Sequence, residues 1–163
     1  MGQKVNPIGM RVGVIRDWDS KWYADPKLVP ALVKEDAQIR NFLNKKYANA
    51  AVSHIEIERI KGAKGKDRVK ITLHSAKPGV VIGREAAILK ETIANLEKLT
   101  KKEIVLNIVE VRRPEIVAKL VADNIAEQLE NRASFRRVQK IAIQRALRSG
   151  AKGVKTLVNF DFS

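Results

Sequence analysis

The stretch Lys77-Pro78-Gly79-Val80-Val81-Ile82-Gly83-Arg84-Glu85-Ala86 constrains this chain more than any other, because it sits between two different hydrophobic periods. Upstream, residues 68–75 alternate, with Val69, Ile71 and Leu73 on one side, the period of a half-buried strand. Downstream, residues 86–100 carry Ile88 (or Leu89), Ile93, Leu96 and Leu99 at the spacing of one helix face. The backbone must pass from strand to helix within ten residues. Residues 78–82 suit a short helical turn, followed by Gly83-Arg84-Glu85-Ala86. Glycine lacks a Cβ and tolerates positive φ, so a turn of this kind can approach another backbone closely.

The flanking segments supply the rest of a small α+β unit. Residues 27–51 are predicted helical, in two pieces because Pro30 cannot donate an interior helix bond. Asp36 is a plausible N-cap for the second piece, whose Ile39, Phe42, Leu43 and Tyr47 form one apolar stripe. Residues 52–60 alternate, with Ile55 and Ile57 inward and His54, Glu56 and Glu58 outward. Lys61-Gly62-Ala63-Lys64-Gly65-Lys66 is a basic, hairpin-like connection. Residues 104–111 are apolar on both faces except Asn107 and Glu110, which predicts a well-buried strand. The expected architecture is a three-stranded sheet with helices on one face, since each element has one apolar side to bury.

Arg112-Arg113-Pro114 marks a boundary, with Pro114 and Glu115 a favourable helix start. Two helices are predicted beyond it, over residues 114–132 and 134–148, the second ended by Gly150. A strand is predicted over residues 154–162, with Val154, Thr156, Val158 and Phe160 on one side. At the other end, residues 1–24 have no period, being broken by Gly2, Asn6, Pro7, Gly9 and Gly13. Trp18, Trp22 and Tyr23 form an aromatic knot, expected to pack on the domain rather than on bases. The predicted layout is a basic arm over residues 1–16, an α+β domain over 17–112, and a partial second domain of two helices and one strand over 113–163.

Charge decides the class of partner. Lys and Arg number 32 against 18 Asp and Glu, a net charge of +14 with a pI near 10.2. Such an excess repels itself and calls for a polyanion. Aromatics make up 5%, too few for a base-stacking platform, so phosphate contact is the expected mode. There is no cysteine, which excludes disulfides, thiolate metal sites and cysteine nucleophiles. No apolar run approaches the roughly 18 residues of a membrane span. There is no signal-peptide core, and Met1-Gly2 is followed by Asn6 where a myristoylation signal needs Ser or Thr. The expected location is the cytoplasm, with no membrane partner.

The charge is also concentrated. Residues 131–160 hold eight basic side chains and no acid. On a helix over 134–148, Arg136, Arg137, Lys140, Gln144 and Arg148 fall within an arc of about 120°. Phe135, Val138, Ile141 and Ala142 lie opposite, and Leu147 intrudes on the basic arc. Arginine grips phosphate bidentately, which suits positioned contacts. Elsewhere, His54, Glu56 and Glu58 share a strand face, but sequence spacing supplies no further ligand and no nucleophile. No catalytic residue, metal, cofactor or small-molecule substrate is therefore expected, and the chain is read as a non-enzyme.

A strand, a Gly turn and a helix is how a KH module clamps about four nucleotides, with GXXG at the turn. Here the second glycine is replaced by Ala86 and an acid, Glu85, sits inside. Other motifs run in order along residues 1–155: Met1-Gly2-Gln3-Lys4-Val5-Asn6-Pro7, Gly9-Met10-Arg11-Val12-Gly13, Trp18 to Trp22, Glu110-Val111-Arg112-Arg113-Pro114-Glu115, Lys119-Leu120-Val121-Ala122, Phe135-Arg136-Arg137 with Lys140, and Gly150-Ala151-Lys152-Gly153-Val154-Lys155. In these the chain resembles the N-terminal two-thirds of the KH-containing, third protein family of the bacterial small ribosomal subunit.

The resemblance implies a type II KH fold followed by a truncated second α+β domain. It implies a structural, ribosome-bound role in the subunit head, with ribosomal RNA and neighbouring head proteins as partners, near where messenger RNA enters. The alternative is a free KH-type RNA-binding regulator or RNA chaperone, on which the irregular basic arm makes less sense. By motif match, Arg136, Arg137 and Lys140 would face the incoming message. The full set of candidate RNA contacts is Lys4, Arg11, Gly83, Arg84, Arg112, Arg113, Arg132, Arg136, Arg137, Lys140, Arg148 and Lys152. The family pattern keeps both turn glycines and continues past Lys155 into a Gly-rich segment and more sheet.

Overall fold

The computed structural model describes residues 2–61 and 67–159. Its centre is a four-stranded sheet in the order β1-β2-β3-β4, built from β1 (Ser20–Lys21), β2 (Val52–Ile60), β3 (Arg68–Ser75) and β4 (Glu103–Glu110). The β2–β3 pair is antiparallel, and both outer pairs are parallel. Helices α2 (Val29–Lys46), α3 (Pro78–Ile82) and α4 (Ala87–Thr100) follow the predicted order. Ile55 and Ile57 of β2, Val69, Ile71 and Leu73 of β3, and Ile104 and Leu106 of β4 form one core with Ile39 and Leu43 of α2, Val81 of α3 and Leu96 of α4. The helices cover that one face, so burial follows the strand alternation.

Two expectations about the sheet change. It has four strands, not three, because Ser20 and Lys21 pair with Ile57 and Glu58. And β4 is an edge strand with one solvent face, where Val105 and Val109 are each 41% exposed. The hydrophobic run in β4 is therefore one buried row and one open row rather than burial on both sides.

Helix α2 runs unbroken through the place where a break was expected. Pro30 lies in its first turn, where the missing N–H has no intrahelical acceptor in any case. Asp36 is therefore not a cap but a buried side chain in mid-helix. Its carboxylate accepts from Trp22 Nε1 at 2.8 Å, from Ser20 Oγ at 3.1 Å and from the Arg59 guanidinium. One turn on, Arg40 donates to Asp19 O at 3.0 Å, to Ser20 Oγ at 2.9 Å and to Ile55 O. Arg59 also lies 3.2 Å from Glu35 and stands over the Trp22 ring. Together these bonds fasten the two residues of β1 to the sheet, a strand too short to hold by its own ladder. Of the aromatic knot only Trp22 packs; Trp18 is 64% exposed and Tyr23 90%.

The N-terminal segment is not wholly irregular. Asn6 Oδ1 accepts from the backbone of Ile8 and Gly9 and caps a one-turn helix, α1 (Pro7–Arg11). At the other end, a 3-10 turn (Pro114–Ile116) precedes α5 (Ala118–Glu130), and α6 (Phe135–Arg148) follows. The last two helices share a small core of Ile125, Val138 and Ala142, with Val121, Leu129 and Val158 against it. Both end alike. Ala151 N–H bonds Ala146 O and Gly150 N–H bonds Leu147 O, just as Ala133 bonds Gln128 and Arg132 bonds Leu129. This is the six-residue C-terminal closure that places a left-handed residue after the cap; Gly150 fills it at φ +97°, Arg132 at +60°.

The predicted strand over 154–162 is absent from residues 154–159. A strand there would have no partner among the described residues, and Val158 packs on α5 and α6 instead. Phe160 to Phe162 of that expectation, and Gly62 to Lys66 of the hairpin connection, lie outside the described residues. Among the described residues no helix is long and apolar enough to cross a membrane.

The Asp36 cluster carries the first prediction. Removing one partner of a buried ion pair leaves the others uncompensated, at about 3–5 kcal/mol. Asp36→Ala should lower unfolding stability by that amount in urea denaturation followed by circular dichroism. A loss below about 1 kcal/mol would mean the cluster does not hold the sheet edge.

Candidate RNA interface

The turn between α3 and α4 holds three residues, Gly83, Glu85 and Ala86, at positive φ. Gly83 has φ +72°, and a Cβ there would sit 2.6 Å from Ile88 Cγ1 and 2.7 Å from its Cδ1. Any other residue there would hold a strained φ and push against the Ile88 side chain. Glu85 and Ala86 also have positive φ, +53° and +58°. Ala86 thus occupies a left-handed position that glycine would take without strain. Arg84 and Glu85 are both exposed. An anion approaching the turn meets one cation and one carboxylate side by side, so the turn offers shape without net charge.

Helix α6 presents the opposite arrangement. Its buried residues, Val138, Ala142 and Ala146, form one stripe. Arg136, Arg137, Lys140, Gln144, Leu147 and Arg148 are all exposed and project from the other side. Phe135, expected on the apolar side, is 41% exposed and lies under the Arg136 guanidinium at 5.6 Å. Arg132 precedes the helix in the α5–α6 turn, and Lys152 follows it. Arg112 and Arg113 are exposed on the link from β4 to the 3-10 turn that packs against α6. Lys4 and Arg11 lie on the exposed N-terminal segment, where Arg11 donates to Pro7 O at 2.9 Å. The candidate cations therefore form a group on and around α6, with Arg84 in the turn between α3 and α4 and Lys4 and Arg11 on the N-terminal segment.

Pairing separates the two halves. Among the described residues, every ion pair joins side chains between Arg16 and Glu103, including Lys46–Glu91, Arg68–Glu103, Lys70–Glu58 and Lys102–Glu35, all at 2.8 Å. No described acid pairs with Arg132, Arg136, Arg137, Lys140, Arg148 or Lys152. The cleft between the 3-10 turn Ala48–Ala50 and α5 is unsuited to phosphate, because Asp123, Glu127 and Glu130 line it.

On the outer face of the sheet, away from the core under α2 and α4, His54 and His74 stack with ring centroids 3.9 Å apart. Glu56 Oε1 lies 3.6 Å from His54 Nε2 and 3.5 Å from His74 Nε2. Burial, then the neighbouring His74, lowers the His54 pKa below its usual value, with Arg16 adding to the effect and Glu56 and Asp19 opposing it. The neutral imidazole is favoured. Sequence spacing did not bring His74 to this group; the β2–β3 register, which pairs His54 with His74, does.

The turn generates a pair of opposed predictions. Gly83→Ala should cost about 1–3 kcal/mol, the price of a strained non-glycine conformation with Ile88 in its way. Ala86→Gly relieves about 1–2 kcal/mol of left-handed strain against about 0.5–1 kcal/mol of added chain entropy, so it should leave the protein equally or slightly more stable. Thermal unfolding of the two variants checks both signs; a stabilising Gly83→Ala would contradict the geometry.

Comparison with known proteins agrees with this architecture. The KH domain family matches residues 38–116. Proteins named small ribosomal subunit protein uS3 match almost the whole chain. The one from Haploplasma axanthum is 76% identical over 157 residues, 96% of this chain and 61% of its own length. Those from Alteracholeplasma palmae and Acholeplasma laidlawii are 69% and 65% identical, each over 98% of this chain, and 64% and 62% of their own length. The chain thus spans about three fifths of the length of the curated relatives it matches. With a KH domain at its centre and this identity along nearly its full extent, the chain belongs to the uS3 family of small ribosomal subunit proteins.

Proposed function

We propose that this chain is a non-enzymatic, structural RNA-binding component of the small ribosomal subunit, and that α6 carries its principal phosphate contacts. The observation that carries this reading is the segregation of charge. Every ion pair among the described residues joins side chains between Arg16 and Glu103, whereas the cations on and around α6 face solvent without acidic partners among the described residues. An acid-free basic face that a fold leaves unneutralised is what a polyanion neutralises. The names of the relatives make ribosomal RNA the natural polyanion.

Within this reading residues 1–16 form a basic arm, residues 17–112 the KH unit and residues 113–163 the part that presents α6. Arg136, Arg137 and Lys140 would hold messenger RNA where it enters the subunit; Arg112, Arg113, Arg132, Arg148 and Lys152 would extend the phosphate track. Neighbouring proteins of the subunit head would be further partners, and the location is the ribosome in the cytoplasm. The KH turn contributes less, because Glu85 faces any phosphate that Gly83 and Arg84 admit. Arg132 supports a binding role for its turn. Glycine suits its left-handed position better, so an arginine there costs about 1–2 kcal/mol of strain that a contact with RNA would justify.

The test is salt dependence. Each phosphate contact releases counterions and contributes about 0.7 to the slope of log K against log salt for single strands. Replacing Arg136, Arg137 and Lys140 with Ala should weaken binding to unrelated RNA sequences alike and flatten that slope by about two. All three side chains are exposed, so the fold should survive, as circular dichroism would verify. An unchanged slope would remove phosphate contact from α6.

A further inference from the structure

The two histidines of this chain are its only ones, and the sheet brings them together. We propose that His54, His74 and Glu56 form a binding site for a zinc-type divalent cation on the outer face of the β2–β3 hairpin. The three donor atoms, two Nε2 and one Oε1, all lie within 4.8 Å of one another. Two ligands of a tetrahedral ion at zinc bond lengths stand about 3.4 Å apart. The carboxylate-to-imidazole separations here are 3.5 and 3.6 Å, too long for strong hydrogen bonds and right for ligands sharing one ion. Two imidazoles and one carboxylate are a donor set for zinc and its neighbours rather than for calcium or magnesium.

The surroundings orient each ligand. Strand alternation puts His54 on the outer face, and the β2–β3 register shifts between Val52 and His54, beside Ser53. Ser53 Oγ lies 3.1 Å from His54 Nδ1. With Nδ1–H donating to that hydroxyl, Nε2 carries the free lone pair, the arrangement that positions a metal-binding histidine. Lys21 Nζ sits 3.5 Å from Glu56 Oε2, holding one carboxylate oxygen and leaving Oε1 toward the rings. His74 Nε2 is buried and has no hydrogen-bond partner, an orphaned acceptor or donor that ordinarily demands an occupant. The stacked rings lie at 13° to each other, so their lone pairs run nearly side by side. Binding turns one ring about its Cβ–Cγ bond until both point at the ion, and water takes the fourth position.

The experiment uses the full chain, stripped of metal and free of any histidine tag. Cobalt(II) is added as a spectroscopic probe and zinc as its competitor, while the Cε1–H resonances of the two histidines are followed by NMR. One equivalent of cobalt should produce a tetrahedral visible spectrum, zinc should displace it, and both histidine resonances should shift together. His54→Asn and His74→Asn, with folding checked by circular dichroism, should each weaken binding at least about tenfold, and Ser53→Ala less. Saturation of only one histidine, binding that survives loss of both, or no saturable binding below millimolar metal would overturn the site. The resonances of the unaltered chain decide the matter even if a variant fails to fold.

Discussion

The register between β2 and β3 is the constraint on which the rest of this structure depends. Pairing Ile55 with Leu73 and Ile57 with Ile71 puts these four side chains and Val69 in one core with α2 and α4. A slip of one residue would turn all of them into water. The same pairing lines the outer face with His54 against His74, Glu56 against Thr72 and Glu58 against Lys70. Both edges of the sheet follow from it. On one side β1 is held against β2 by Asp36 and Arg40 of α2, one helical turn apart. On the other, β4 runs parallel to β3 and delivers the chain to Arg112 and Arg113. The turn at Gly83 joins α3 to α4 and holds Glu85 and Ala86 at positive φ, which neither residue favours.

Charge is then divided between two tasks. In the sheet domain several cations are matched by acids: Arg59 by Glu35 and Asp36, Lys70 by Glu58, Lys46 by Glu91. The Arg59 pairs are buried and hold geometry more than they add net stability, whereas the more exposed Lys70–Glu58 and Lys46–Glu91 pairs contribute little. Helix α6 keeps only Val138, Ala142 and Ala146 buried and exposes Arg136, Arg137, Lys140, Arg145 and Arg148. A helix so lightly anchored and so densely charged is poorly stabilised by itself and well suited to a polyanionic surface, where repulsion among Arg136, Arg137 and Lys140 becomes attraction. The proposed ribosomal role needs no chemistry beyond this.

Much of the fold was legible in sequence because alternation and helical spacing report burial directly. The β2 and β3 limits, α3, the start of α4 and the end of α6 at Gly150 all follow from local pattern. What stayed hidden depends on partners distant in the chain. Asp36 has the look of a helix cap, and only Trp22, Ser20 and Arg59 make it a core residue. A two-residue strand has no period to detect, so β1 could not be seen. Alternation fixes the face on which His54 and His74 lie but not which outer residues oppose each other. A shift of two residues keeps the apolar rows intact and separates the histidines. The basic arc of α6 was readable from spacing alone, whereas its lack of acidic neighbours required the fold.

Entry of the chain into the small ribosomal subunit is the central requirement of the proposed role. Sucrose-gradient sedimentation of the tagged chain in cell lysate, at moderate and at high salt, addresses this most directly. Persistence in the small-subunit peak at both salts is the expected result, since many simultaneous contacts hold an integral component in place even though each phosphate contact weakens with salt. Absence from that peak at both salts, with the chain migrating free or on unrelated RNA, would contradict it.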